Sequence, residues 1–302
     1  MRWQEFDDFD AWGEAVRTAD LRLACDSIER RSWRLAACGL GDVFLQMADE
    51  GGGNLCHGSN THPGVQLFVP LSQVEGHICN CEPLDAGSLL VIPPGADFSI
   101  QVRRRAHRWL AVALPPRLTT AWPWLRDTSR IVRPGHSAVG RLVDTAVRIM
   151  SGPAAELSAG LARDAAAAEL VSAACACLTE PPASPPTPGR PKIARAEIIR
   201  RSLEALESDS VERPSVEDLA AAAGVTERTL ARAFQDTFGT SPLQYMLLRQ
   251  LHAVRRGLRS AAGNATVSEV LIRQGVWDHG RFAARYRRHF GESPSATLAR
   301  GR

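Results

Sequence analysis

The sequence predicts an α+β chain. An N-terminal antiparallel barrel or double sheet with a helical pair comes first, then an all-α region built from one helix pair used twice. Three observations lead there. Between residues 33 and 114, short apolar runs recur about every 10–12 residues, punctuated by Gly and Pro. Residues 137–178 change to helical spacing. Residues 215–298 then carry the same order of cap, glycine, apolar stripe and Phe-Gly twice.

In chain order, residues 6–25 read as a helix, with Phe9, Trp12, Val16 and Leu23 roughly a turn or a multiple of it apart. Strands are expected at residues 43–47, 65–69, 77–81, 89–92, 98–102 and 109–112. On a strand His77, Cys79 and Cys81 would share one face, because side chains alternate. Two readings stay open for them: a metal or redox site, since cysteine and histidine suit zinc, or packed thiols beside a histidine. They are candidate ligand-binding residues; no metal ligand set and no cofactor are expected. Val139, Leu142, Val143, Ala146, Val147 and Met150 form one helical stripe, and Leu157, Leu161, Ala165, Ala168, Val171 and Cys175 another.

The length of 302 residues allows two cores. Residues 181–191 contain six prolines and read as a semi-extended spacer. The expected division is therefore 1–180, a linker at 181–191, and 192–302, with the last unit free to move and able to fold alone. Residues 190–302 have 19 Lys+Arg against 12 Asp+Glu, net +7, whereas residues 1–189 have 17 against 21, net −4. The basic part alone suits a polyanion. No apolar run approaches the ~18 residues of a membrane span, and the acidic start is unlike a signal peptide. A cytoplasmic protein without a membrane partner is expected. The seven cysteines, an odd number all before residue 178, read as free thiols.

The repeated unit is the most specific feature. In the first copy Ser215 and Asp218 make a capping box, Gly224 ends a helix and Thr226 caps the next. Leu230, Ala233, Phe234 and Thr237 fall on one face of that second helix, and Arg228, Arg232 and Gln235 on the other. In the second copy Phe282, Tyr286 and Phe290 form the inner stripe and Arg281, Arg285 and Arg288 the outer one. A helix running over residues 243–258 joins the copies, with Leu247, Leu251, Val254 and Leu258 inward. Such a unit is a helix–turn–helix, whose second helix enters the DNA major groove. Arginine suits that position because its planar fork can bond guanine O6 and N7 together.

These residues carry a resemblance. The turn Leu219, Ala223, Gly224, Val225, the Phe238-Gly239-Thr240-Ser241-Pro242 end of copy one and the Phe290-Gly291-Glu292-Ser293-Pro294 end of copy two resemble the DNA-binding domain of the AraC/XylS family of bacterial transcription regulators. The resemblance covers residues 194–300. It implies that base reading falls on Arg228, Thr229 and Arg232, then on His279 and Arg281, with Ala231, Gly280 and Ala284 at the remaining family positions. Gln235, Arg285, Arg287 and Arg288 are expected on phosphates, which sets register without reading sequence. Gly87 through Pro93-Pro94-Gly95 resembles a cupin strand and turn, the usual sensor fold of that family. From this follow a cupin-like N-terminal domain for a small organic effector and homodimer contact through the helical pair. Double-stranded promoter DNA is the expected partner, RNA polymerase a further candidate, and no enzymatic activity is expected. The alternatives are a metal- or redox-responsive regulator, or a cupin metalloenzyme fused to a DNA-binding domain. The absence of a His-x-His pair counts against the enzyme.

Overall fold

The computed structural model describes residues 2–125, 127–152, 160–178, 195–207, 214–261 and 265–301. The proline-rich linker at 181–191 lies outside them. The chain opens with β1 (Gln4–Phe6), α1 (Phe9–Ala15), β2 (Ala19–Ile28), β3 (Trp33–Leu40), β4 (Val43–Glu50), β5 (Gly52–Asn60) and β6 (Gln66–Pro70). It continues through β7 (His77–Cys79), β8 (Glu82–Pro83), β9 (Leu89–Ile92), β10 (Asp97–Val102), β11 (His107–Ala113) and β12 (Arg130–Val132). Helices α2 (His136–Ser151), α3 (Leu161–Cys175), α4 (Arg195–Glu207), α5 (Val216–Ala222) and α6 (Glu227–Phe238) follow. The last are α7 (Pro242–Arg259), α8 (Val267–Arg273), α9 (His279–Phe290) and α10 (Pro294–Gly301).

Among the described residues the strands form two antiparallel sheets. One has the order β1-β3-β4-β11-β6-β9-β12, the other β2-β5-β10-β7-β8. They are not hydrogen-bonded into one closed barrel, so the double-sheet form of the expectation describes the chain and the barrel form does not. The molecule is layered. The α2–α3 pair covers the outer face of the larger sheet, where Leu45, Leu67 and Val112 meet Leu142, Ala146 and Leu170. The inner faces pack Cys56, Phe68, Phe98, Ile100 and Trp109 against each other and against Trp12 of α1. Ala24 and Leu55, on the outer face of the smaller sheet, belong to the core of the helical C-terminal region, with Phe238, Tyr245 and Leu248. Both faces of both sheets are therefore covered. That is why residues 89–92 are four consecutive apolar side chains, all buried.

Two expectations about elements change. The helix expected over residues 6–25 is confined to α1, capped by the Asp8 side chain on the Ala11 N–H at 3.2 Å. Thr18, at a φ of 71°, turns the chain out of helical geometry, and β2 then pairs with β5 along its length. Ala19, Leu21, Leu23 and Cys25 alternate inward, a period-2 pattern that the wider spacing from Phe9 masks. On α7 the inward residue is Leu248 rather than Leu247, because Tyr245 and Leu248 face the first helical unit while Leu251, Val254 and Leu258 face the second.

Strand β5 went unread because three of its nine residues are glycine. Glycine is required there by close backbone approach. A Cβ on Gly52 would lie 1.9 Å from the Ser27 carbonyl oxygen, and one on Gly53 2.4 Å from the Arg104 nitrogen. Gly52→Ala should thus destabilise the fold at the upper end of the about 1–3 kcal/mol typical of overpacking, since a backbone atom must yield. Urea unfolding of the two proteins measures this. An unchanged midpoint would mean that β2 and β5 can part without cost.

Candidate nucleic-acid interface

The first helical unit is built by its caps. The Ser215 hydroxyl accepts from the Asp218 N–H at 3.1 Å, and the Asp218 carboxylate accepts from the Ser215 N–H at 2.7 Å. Gly224 takes a φ of 67°, which glycine adopts without the Cβ penalty. Thr226 then caps α6 through the Thr229 N–H at 3.3 Å. Burial of Leu230, Ala233, Phe234 and Phe238 sets the roll of α6 and leaves Arg228, Thr229, Arg232 and Gln235 exposed. The side chain of Arg232 is 83% exposed and lies 3.9 Å from Asp236, which Arg195 holds more closely at 2.9 Å. Arg232 can therefore leave that carboxylate for a base edge at little cost.

The second unit repeats the construction. Thr266 and Glu269 form its capping box, and Asp278 caps α9 through the Arg281 N–H at 3.0 Å. Phe282, Tyr286 and Phe290 are buried, and the Tyr286 hydroxyl meets that of Thr297 at 2.8 Å. Arg281, Arg287 and Arg288 are exposed; Arg285 and His279 are half-buried. The exposed arginines of this helix are thus Arg281, Arg287 and Arg288. Gly280 and Ala284 are also exposed, with nothing long enough to reach a base. Trp277, 78% exposed just before α9, was not singled out from the sequence. A signal for it lies in the spacing: Gly275 and the cap Asp278 are three positions apart, where Gly224 and the cap Thr226 are two apart.

α7 spans 18 residues, about 27 Å at 1.5 Å per residue, and carries one unit on each half. It does not move freely of the sheets. Its Arg255 donates to Asp8 and its Arg256 to Asp10, each at 2.8 Å, and His252 lies 3.2 Å from Asp10. Burial alone would raise the Asp10 pKa, but His252 and Arg256 outweigh it and hold the carboxyl below its ordinary value. Two further arginines from the sheet region reach the recognition helices themselves. Arg103 donates to the Gly239 carbonyl at the end of α6, and Arg31 to the Phe290 carbonyl at the end of α9. Cations suit both places, because the last carbonyls of a helix lack internal partners and carry its negative dipole end. The helical C-terminal region is packed on the sheets, with which it shares a core and a set of ion pairs.

His77, Cys79 and Cys81 do not line one surface. Asn80 and Cys81, at φ of 51° and 69°, form the two-residue turn between β7 and β8. Cys81 is thereby off the strand, its sulfur 3.3 Å from the Thr237 hydroxyl of α6. Cys79 is buried beside Cys56, and burial raises the pKa of both thiols, which keeps them protonated. His77 is buried, donates from Nδ1 to the Gln73 carbonyl at 2.9 Å and stands edge-on to His107 at 5.1 Å. Among the described residues no three His, Cys, Asp or Glu side chains converge to hold a metal ion. A cavity of about 60 Å³ does open between the two sheets, but Glu50, His107, Trp12 and Trp109 line it instead.

Comparison with known proteins bears on the helical part. Residues 219–300 match the family described as "Helix-turn-helix domain". A XylDLEGF operon transcriptional activator of Pseudomonas putida is 36% identical over 102 residues, 33% of this chain and 65% of that protein. A probable thc operon regulatory protein of Rhodococcus erythropolis is 33% identical over 109 residues, 36% of this chain and 33% of its own. The chain thus covers less than two thirds of the length of either relative. Among solved structures, a probable AraC family transcriptional regulator from Rhodopseudomonas palustris aligns with 32% identity over 35% of this chain and 97% of its own, at a TM-score of 0.33. The C-terminal third is a helix–turn–helix domain similar to those of AraC/XylS-type regulators.

The buried histidine has a consequence for stability. Burial, and then the neighbouring His107, push the His77 pKa down to about 3 from 6.5. The unfolded chain takes up this proton at a higher pH than the folded one. The contribution of neutral His77 is therefore complete above pH 6.5 and is lost as the pH falls toward 3. His77→Phe should make the urea midpoint less sensitive to acid in that window. An equal pH dependence in both proteins would place the titration elsewhere.

Proposed function

We propose that this chain is a sequence-specific DNA-binding transcription regulator of AraC/XylS type, controlled by a small organic effector held in its N-terminal region. One observation carries the reading. Two capped helices, each with its aromatic or aliphatic face buried and its arginines exposed, are mounted on the two halves of a single helix. In this reading Arg228, Thr229, Arg232 and Arg281 read base edges, with His279 beside them at the start of α9. Gln235, Arg285, Arg287 and Arg288 contact phosphates, and Trp277 lies against the backbone of the second half-site. Residues 1–180 serve as the sensing and dimerising unit, residues 181–191 as the linker and residues 192–302 as the DNA reader. Exposed Val147 and Leu161, on α2 and α3, support homodimer contact through the helical pair. The relatives of the helical domain are regulators of transcription, which supports a non-enzymatic role in the cytoplasm, with RNA polymerase as a second partner.

Arg232→Ala should cost about 1–3 kcal/mol at the specific site and relax preference at one base pair. Arg288→Ala should weaken binding to all sequences alike and flatten the dependence on salt, because a phosphate contact releases counterions. Titration of full-length protein on cognate and random duplexes at several salt concentrations separates the two. Equal losses on both duplexes for both variants would sink this division of roles.

A further inference from the structure

The cavity between the sheets has a chemistry of its own. Glu50 ends β4 and is 1% exposed. Among the described residues, all the polar contacts of its carboxylate fall on one oxygen. Oε1 accepts from the Trp109 indole N–H at 2.6 Å and from Asn54 Nδ2 at 3.4 Å, and His107 Nε2 lies 3.3 Å away. Oε2 is buried and has no partner among the described residues. The neighbouring Asn54 Oδ1 is buried and unpartnered as well. Its amide cannot turn over to change this, since the oxygen would then face a carboxylate. Two acceptors beside one cavity thus lack donors, an arrangement that costs stability unless a donor arrives.

Two further polar side chains on the cavity wall, Gln46 and Gln66, are already engaged. Gln46 clasps the Arg17 backbone with both amide atoms at 2.8 Å, and Gln66 donates to Asn60 at 2.5 Å. The Trp12 indole N–H is buried without a partner, and Arg17 is exposed at the rim. The rest of the wall is apolar, and four aromatic side chains stand in it: Trp12, Phe68, Phe98 and Trp109. Trp109 is 5.8 Å from Phe68 and 6.4 Å from Trp12. Aromatic rings around one buried carboxylate attract a cation twice, through the ring quadrupoles and through the charge.

We propose that this cavity binds a small organic ammonium ion, whose N–H groups bond Glu50 Oε2 and Asn54 Oδ1 and whose carbon portion packs among the aromatic rings. A primary or secondary ammonium fits better than a quaternary one, because two acceptors ask for two N–H groups. The volume of about 60 Å³ holds only a few heavy atoms without parting the sheets. This deepens the effector reading above and rests on it for the ligand's role in control, but not for binding itself.

The test uses full-length protein and propylamine, with 1-propanol and propionate as neutral and anionic matches, followed by thermal shift and calorimetry. Propylamine should raise the melting temperature saturably, and more than either match. Glu50→Gln keeps an acceptor for Trp109 but turns an N–H₂ toward the ligand. It should weaken propylamine about tenfold or more, the scale of one charge-assisted hydrogen bond. Ala111→Leu, which fills the cavity and leaves Glu50 intact, should abolish the response, and it decides the matter if Glu50→Gln fails to fold. Equal stabilisation by propanol, stronger stabilisation by propionate, no response to propylamine, or an unchanged response in Ala111→Leu would each overturn the proposal. Binding to cognate DNA is measured on the same samples. Specific DNA binding without a propylamine response overturns the ammonium site alone, whereas a propylamine response without specific DNA binding overturns the regulator reading alone.

Discussion

Two buried carboxylates hold the molecule together. Asp8 and Asp10, on either side of the start of α1, face Arg255, Arg256 and His252 of α7 from inside the protein. A carboxylate there is tolerable only with its partners in place, and removing one partner of such a buried pair costs about 3–5 kcal/mol. Asp8 also caps α1, so the same side chain begins one helix and anchors another 247 residues away. α7 carries both DNA-reading units. Whatever fixes α7 against β2 therefore fixes the frame in which the two recognition helices stand.

Arg31 and Arg103 extend that control to the far ends of the recognition helices. Each donates to a terminal carbonyl at the Phe-Gly corner of its unit, so the two contacts are equivalent in position although they come from different loops of the sheet region. The sheets thus hold the DNA reader at its middle and at both helix ends. A ligand between the sheets could change DNA binding only by binding two arrangements of these contacts unequally, and the coupling would be the same in both directions. The smaller sheet is the element common to both sites. Cys56 faces the cavity from β5, and Leu55, the residue before it, faces the DNA-reading helices. Alternation along that strand puts the two sites one residue apart.

Much of the helical region was legible in the sequence, because its determinants are local. Ser215 and Asp218, Thr226, Gly224 and Gly239 each act within four residues, and the stripe of Phe282, Tyr286 and Phe290 declares a buried face by spacing alone. The outward arginines follow from the same spacing, apart from Arg285, whose half-buried position depends on what packs beside it. The sheet region was less legible. β5 has glycines where a strand normally has branched side chains, and β2 follows α1 with only a three-residue break. For Cys81 alternation was misleading, because a two-residue turn ends the strand at Cys79. Glu50, Asn54 and His107 drew no notice because they are scattered over three strands and match no spacing rule.

By itself, the sequence determined the repeated unit, its caps, the buried and exposed faces of its two recognition helices and the change from strands to helices along the chain. Periodicity, capping and turn residues act over a few positions, and they read the same in a string as in a fold. Only the tertiary structure decided that the sheets remain two, that the helical C-terminal region packs on the smaller of them, and that Glu50 rather than His77 stands in the cavity. These outcomes depend on pairing and desolvation between residues tens to hundreds of positions apart. Asp8 meets Arg255 across 247 positions of sequence, and Arg31 meets Phe290 across 259.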